Sequence, residues 1–483
     1  MPLILGTNSI KDTGFNVDNS LRFNDSSSDY LSFTPSSTSN QKTWTVSCWV
    51  KRSALTSTMY IWGVNGDTSG HYFSELNFNS GDQLEFIQGG TVGDPYQTQM
   101  LTNARYRDPS AWLNIVVAVD TTQSTESNRF KMFVNGEQIT DWAISNYPSQ
   151  NENFRWHFVG SEGYPHSIGR TGKRNSNYFD GYICEWIDID GTQLDATSFG
   201  EFDSDSPTIW KPKDISGLTL GTNGAYLDFE DSSSLGNSVG NSNNYTANNL
   251  TSIDQSTDTC TNNFATLNSI ALNNNTSQNH ISLSEGNLKA SGTSASNNGN
   301  GFSTIGFNSG KWYCEVKIID VQGATFPIVG VITEENINRI SGASGSIGYS
   351  TTDTVGYAPD GDKIINDGQS SYGNSFTDND IIGIAIDCDN GAVYFSKNGT
   401  FQNSGDPTSG ASKTNAAMTF TPSKNYFFGC SPYTSTSVVE FNFGSPSFSI
   451  SSGNTDANGF GNFEYSVPSG YFSLCSSNLA EYG

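Results

Sequence analysis

Residues 112–139 read WLNIVVAVDTTQSTESNRFKMFVNGEQI, and residues 380–402 read DIIGIAIDCDNGAVYFSKNGTFQ. Each begins with a short apolar strand that closes on an aspartate, Asp120 or Asp387. Each then continues into a second strand that meets an Asn-Gly pair, Asn135-Gly136 or Asn398-Gly399. Asn-Gly tolerates the positive φ values of a two-residue hairpin turn, so both stretches predict an antiparallel meander. The two Asn-Gly turns lie 263 residues apart. One β-architecture is therefore expected twice, in two domains, and a duplicated sandwich is more often a binding surface than a reaction centre.

Composition agrees. The 483 residues leave room for two or three cores. Glycine is abundant (49) and aromatics reach 12%, while Ser, Thr and Asn fill much of the remainder. Such a chain is poor in helix formers and rich in strand and turn formers. The 44–50 stretch alternates, with Trp44, Val46, Cys48 and Val50 on one face, as a half-buried strand requires. The fold class expected is all-β: two antiparallel sandwiches of jelly-roll type. Their bounds are a leader over 1–20, which could dock to a neighbour, a first sandwich over 21–200, an Asn/Ser-rich connector over 201–280, a second sandwich over 281–444 and a Gly/Ser-rich, partly ordered tail over 445–483. Whether the connector packs along a domain is left open by its composition.

Forty-eight acidic residues face 23 basic ones, for a net charge of −25. Phosphate backbones and anionic bilayers would repel such a chain, so no nucleic acid partner and no membrane insertion is expected. Seven dispersed cysteines, an odd number without a C-x-x-C pair, do not form a disulfide framework and fit synthesis in a reducing cytosol. The start, MPLILGTNSIKDTG, lacks the basic residues and long apolar run of a signal peptide.

Particular segments carry family resemblances. SLRFNDSSSDYLSF (20–33), WTVSCWVKR (44–52), WLNIVVAVD (112–120), FKMFVNGEQI (130–139) and FDGYICEWIDIDG (179–191) resemble the laminin-G-like, concanavalin-like sandwich family. GKWYCEV (310–316), GVITEE (330–335), the 380–401 stretch, YFFGCSPY (426–433) and VEFNFG (439–444) resemble a SPRY domain, with five motifs in order and at the right spacing. The pairing looks like marine bacteriophage proteins that serve as virion appendage components. It implies release by lysis, a place in the virion, and other virion proteins as partners. A homo-oligomer would supply avidity. The function expected is non-enzymatic: a tail fibre or appendage adhesin for a host surface glycan or protein. Capsid decoration or a structural connector is the alternative, and polysaccharide depolymerisation a third.

The third reading meets unfavourable carboxylate geometry. Laminarinase-type hydrolases of concanavalin-like fold place Glu-x-Asp-x-Glu on one strand face. In CEWIDID, Glu185 and Asp188 are three apart and face opposite ways unless a bulge intervenes; only Asp188 and Asp190 share a face. Glu201, Asp203 and Asp205 do alternate, but in a polar stretch that reads as an acidic loop. GNSVG (236–240) matches G-x-S-x-G without the strand and helix of a nucleophile elbow. His157 reads as a structural histidine in a strand. No catalytic residue is assigned and no cofactor is required. Ca²⁺ could use Asp120, Asp360, Asp362 or Asp367, although an aspartate at a strand end also serves turn chemistry alone. Loop aromatics and polar groups are the binding candidates: Trp62, His71, Tyr72, Tyr164, Arg170, Arg174 and Tyr178 in the first sandwich, and Tyr349, Tyr357, Asp360 and Tyr372 in the second.

Overall fold

The computed structural model describes residues 14–65, 72–89, 96–159, 163–270, 280–294, 297–323, 325–340, 345–349 and 352–483. Strands dominate, and the chain divides into two compact units that meet in sequence at Thr261 and Asn262. Both Asn-Gly hairpins form. Val134 pairs Glu137 around Asn135 (φ 48°) and Gly136 (φ 81°). Lys397 pairs Thr400 around Asn398 (φ 47°) and Gly399 (φ 78°). No helix among the described residues is long and apolar enough to cross a membrane.

In the first sandwich a back sheet runs in the order Glu137–Gln138, Phe130–Val134, Trp112–Asp120, Thr43–Arg52, Gly181–Asp190, Ser20–Phe23, Gln255–Ser256. The front sheet runs Trp142–Asn146, Thr98–Thr102, Leu84–Gly89, Phe73–Phe78, Met59–Asn65, His166–Ile168, Tyr30–Phe33, Thr246–Asn248. Between them Trp44, Trp62, Trp156 and Trp186 pack at ring separations of 4.7–6.3 Å, fully buried. The second sandwich centres its back sheet on Lys311–Asp320, between Ile381–Asp387 and Val438–Asn442. Its front sheet runs Gly301–Phe302, Tyr426–Ser431, Ile328–Thr333, Val355–Tyr357, Asp362–Ile365, Gly368–Ser371.

The expected boundaries move. Residues 201–261 are structural parts of the first sandwich: Ala225–Leu227 pairs the Gly181–Asp190 strand, and Thr246–Asn248 pairs Tyr30–Phe33. Leu227, Phe229, Leu235 and Tyr245 lie in its core. These apolar residues are too sparse to register as strands by composition, yet each fills an interior position. Gly200–Phe202 is a strand, paired with Trp210–Pro212, where an acidic loop was expected. The second sandwich starts at Asn262, with Phe264, Ala265 and Leu267 buried. Its tail is ordered and packed, burying Phe463, Tyr471, Leu474, Cys475 and Leu479. Of the expected leader, Phe15 and Val17 pack on the first sandwich; residues 1–13 lie outside the described set.

Other parts of these segments cover the outer faces of the back sheets. In the first sandwich, Tyr182, Cys184, Ile187 and Ile189 point away from the tryptophan core and are covered by Ala196, Phe199, Trp210 and Ile215. Asp258 anchors the cover, bound by Lys51 at 2.7 Å and by the Trp112 indole N–H at 3.2 Å, with Lys51 and Asp258 both buried. In the second, Tyr313, Ala385 and Tyr394 are covered by Phe463 and Tyr471. Glu315 anchors that cover by accepting the backbone N–H groups of Glu464 (2.9 Å) and Tyr465 (2.8 Å).

Candidate functional site

Since the back sheet of the first sandwich is covered by the chain itself, its front sheet offers the other large face. Residues directly opposite in an antiparallel pair point to the same side. The register therefore builds two rows across the outer front face. One row is Ser167, Gly63, Glu75, Ile87, Gln99 and Asn146. The other is Tyr60, Asn77, Glu85, Leu101 and Ile144. Aromatic, carboxylate and amide groups thus share one surface.

The face is closed at one end and open at the other. At the closed end the 169–178 loop folds over the sheet. Thr171 lies above Gly63, where a Cβ would come within 2.8 Å of its hydroxyl, and donates a hydrogen bond to Glu75. Glu75 also accepts from Asn65 at 3.3 Å. Burial pushes the Glu75 carboxyl above its ordinary range, and those two hydrogen bonds pull against the shift. Arg174 donates to the Tyr60 hydroxyl at 3.0 Å. Burial raises the Tyr60 phenol, Glu75, Tyr96 and Glu85 raise it further and Arg174 lowers it, so these five side chains share one field. Toward the open end, Gln99 donates to Glu85 at 2.7 Å, and Ile144 is 38% exposed. Tyr96 is 43% exposed and set edge-on to Phe73. An exposed ring beside acceptor groups can stack on a sugar ring and take its hydroxyl protons.

The expected site residues separate into three fates. Arg170, Arg174 and Tyr178 gather around the 169–178 loop. The Arg170 guanidinium lies 3.5 Å from the Tyr30 ring centre, and Tyr30 in turn contacts Tyr178. Tyr72 is exposed, with the Arg155 guanidinium over its ring, and Tyr164 is half-buried against Phe158. Trp62 is a correction: it sits in mid-strand with its ring in the core, because a bulge between Tyr60 and Trp62 turns it inward. His71 lies outside the described residues.

In the second sandwich Tyr357 and Tyr372 are also corrections. Tyr357 is fully buried and stacks on Phe395, with Tyr372 edge-on beside it. Tyr349 stays at the rim and accepts from Gln369 at 3.2 Å. Among the described residues no three His, Cys, Asp or Glu side chains gather as a metal-ligand group. Asp360 accepts from the Asp362 backbone N–H, Asp367 is exposed at a turn with φ 65°, and Asp120 accepts from Thr122 and Gln123.

The Gly181–Asp190 strand does contain a bulge, at Glu185 (φ 51°), between Cys184 and Ile187. It leaves the acids apart. Glu185 faces outward and accepts from the Tyr226 hydroxyl at 3.0 Å, with burial pushing its carboxyl up to about 8. Asp188 faces the core, held by the Trp156 indole and by His157 at 2.9 Å. His157 is structural, as expected, but occupies a turn (φ 60°) rather than a strand. It lies between Asp188 and Asp190, and its backbone N–H donates to His166 at 2.8 Å. Ser238 of the G-x-S-x-G match is buried and accepts a backbone N–H from Tyr226.

Sequence reasoning missed Tyr30, Tyr60, Glu75, Glu85 and Tyr96. Their convergence depends on register, which no local pattern displays.

Comparison with known proteins agrees with this architecture. A family model described as the concanavalin A-like lectin/glucanases superfamily matches residues 25–186, and a SPRY domain model matches residues 311–445. The chain therefore carries a concanavalin A-like domain followed by a SPRY domain. No curated protein matches the sequence. Among solved structures it is similar to the SPRY domain of human HERC1, at 19% identity over 32% of this chain and 87% of that one, with a TM-score of 0.25. It is also similar to the heptameric SAP-like pentraxin of Limulus polyphemus, at 12% identity over 37% and 79%, with a TM-score of 0.26. A third is the CBM40 of the Ruminococcus gnavus IT-sialidase, at 16% identity over 32% and 80%, with a TM-score of 0.26.

Proposed function

We propose that this protein is a non-enzymatic adhesin of a phage virion, carried on a tail fibre or similar appendage, and that its first sandwich binds a host surface glycan or protein. The observation that supports this most is the outer front face. Its accessible part runs from Glu85 through Leu101 to Ile144 and Asn146, with Tyr96 exposed beside it and Tyr60, Asn77 and Glu75 buried at the closed end, while the opposite sheet is covered by the chain's own segments. The virion setting rests on the resemblance of the domain pairing. Glu75 is withdrawn beneath Thr171 and so serves to hold the loop. That favours binding over hydrolysis, which needs two carboxyl groups open to the substrate.

The test is a glycan array and a whole-cell binding assay with the full chain, wild type and Tyr96→Ala. Binding that falls about tenfold in Tyr96→Ala, as loss of a stacking ring would give, supports the face. Undiminished binding after chelation with EDTA is expected, and no reducing ends should be released from the bound polysaccharide. Failure to bind any permissive host would transfer the assignment to capsid decoration.

A further inference from the structure

The 170–174 segment reads Arg-Thr-Gly-Lys-Arg, three of the chain's 23 basic residues within five positions of a molecule with net charge −25. Among the described residues the arginines paired with carboxylates are Arg22, Arg52 and Arg107. Arg170 and Arg174 are held differently, by neutral groups. Arg170 donates to the Asn175 amide oxygen at 2.9 Å and stacks on Tyr30. It is 8% exposed, and its buried Nε has no hydrogen-bond partner. Arg174 donates to the Tyr60 hydroxyl and remains half-exposed. Glu75 is near enough to feel Arg174, but its carboxyl is turned to Thr171 and Asn65. Guanidinium groups fixed by aromatic faces and amides, in a chain with carboxylates to spare, are preorganised for an anion from outside.

We infer that the 169–178 loop of the first sandwich binds an anionic saccharide, one bearing sulfate or carboxylate groups. Arg174 makes the contact and Arg170, stacked on Tyr30, positions the loop. This rests on the front-face reading above and narrows its ligand class. A negative field over the rest of the chain excludes indiscriminate polyanion binding, so the loop provides selection as well as affinity.

The experiment compares the full chain's affinity for dextran sulfate, alginate and unmodified dextran at low and high salt, alongside a glycan array. Dextran sulfate and alginate separate sulfate from carboxylate recognition. At least one of the two should bind about tenfold more tightly than dextran, with the preference weakened by salt. Arg174→Gln should lower that affinity about tenfold, and Arg174→Lys should restore part of it. An unchanged thermal midpoint in both variants separates lost contact from lost folding. Equal affinity for charged and uncharged polymers, or an Arg174→Gln variant that binds dextran sulfate and alginate as wild type does, overturns the anionic assignment. Array binding to neutral glycans in that case leaves the front-face reading standing. Absence of binding to every polymer and every array glycan overturns both.

Discussion

The two sandwiches solve one problem with different chemistry. Each must cover the outer face of its back sheet, and each does so with chain that follows its last long strand. The first anchors its cover with a charge pair, Lys51 and Asp258, both buried. The second uses a lone buried acid, Glu315, surrounded by neutral donors: two backbone N–H groups, the Asn442 amide at 3.3 Å and the Tyr313 hydroxyl at 3.3 Å. With no cation at ion-pair distance among the described residues, burial pushes the Glu315 carboxyl up to about 7. A buried paired charge is intolerant of losing its partner. A solitary acid can neutralise itself, and then its anchorage depends on pH.

The cores differ too, and there the largest effects are expected. Eight of the nine tryptophans lie in the first sandwich, Trp312 being the exception, so tryptophan fluorescence reports almost wholly on that sandwich. Trp62→Ala should destabilise it by about 3–5 kcal/mol, the usual cost of emptying a large aromatic site, as measured by fluorescence-monitored denaturation. Tyr357→Ala should cost the second sandwich about 3 kcal/mol, read as a shift of its own calorimetric transition. A variant at either position that folds normally but binds less would instead restore the expectation that these rings contact ligand.

Next come the anchors. Lys51→Met removes the ammonium that pairs with buried Asp258, and a loss of about 3 kcal/mol is expected. Glu315→Gln keeps an acceptor but turns an amide N–H toward a backbone N–H, for about 1–2 kcal/mol. Hydrogen exchange should locate the second effect at the Glu464 and Tyr465 amides. Equal losses from both changes would break the contrast between a paired and a solitary charge.

Dependence on pH follows from the same contrast. The folded Glu315 carboxyl titrates near 7 against an ordinary 4.5. Between those values the folded chain holds a proton that the unfolded chain has released. Its contribution is complete below pH 4.5 and is lost as pH rises through 7. Glu185, at about 8, gives the first sandwich a similar loss as pH rises from 4.5 through 8. The first sandwich also buries His166, which desolvation and the neighbouring His157 lower from 6.5 to about 3. There the unfolded chain gains a proton that the folded chain refuses, so stability present above pH 6.5 is lost as pH falls toward 3. Melts between pH 4 and 8 should give the first sandwich an optimum near the middle of that range. The second should decline steadily as pH rises, and Glu315→Gln should flatten the decline.

How far the sequence revealed this depends on where the information lies. The Asn-Gly hairpins and the alternating 44–50 strand were legible because turn chemistry and period are local. The face containing Tyr60, Glu75 and Glu85 was not. Its central positions are buried polar groups, so its strands do not alternate cleanly, and a bulge at Ile61 breaks the period before Trp62. The contribution of residues 225–245 to the core was hidden for another reason. Phe229, Leu235 and Tyr245 are single apolar residues among Asn and Ser, each meaningful only once the surface it fills exists. The basic 170–174 run was plain in the sequence, but its weight came from the structure, which gives the two arginines aromatic, amide and phenol partners and, among the described residues, no carboxylate at ion-pair distance.

The smallest expected effect concerns the two aspartates at equivalent strand ends. Asp120 is half-buried and accepts from the Thr122 backbone and hydroxyl and from Gln123. Burial alone would raise its carboxyl, but these bonds hold it below the ordinary range. Asp387 is fully buried; it accepts from the Asn390 backbone at 2.9 Å and its amide at 2.8 Å, and pairs with Lys311 at 3.2 Å. Shared sequence position therefore conceals unequal roles. Asp120→Ala removes a turn that water can partly replace, for about 0.5 kcal/mol. Asp387→Ala leaves the part-buried Asn390 N–H and a lysine without their acceptor, for about 2 kcal/mol. Calorimetry of the full chain resolves the two transitions. If Asp120→Ala proved the costlier change, the first aspartate would be holding something more than its own turn, and the strand end would return as a candidate site for a cation.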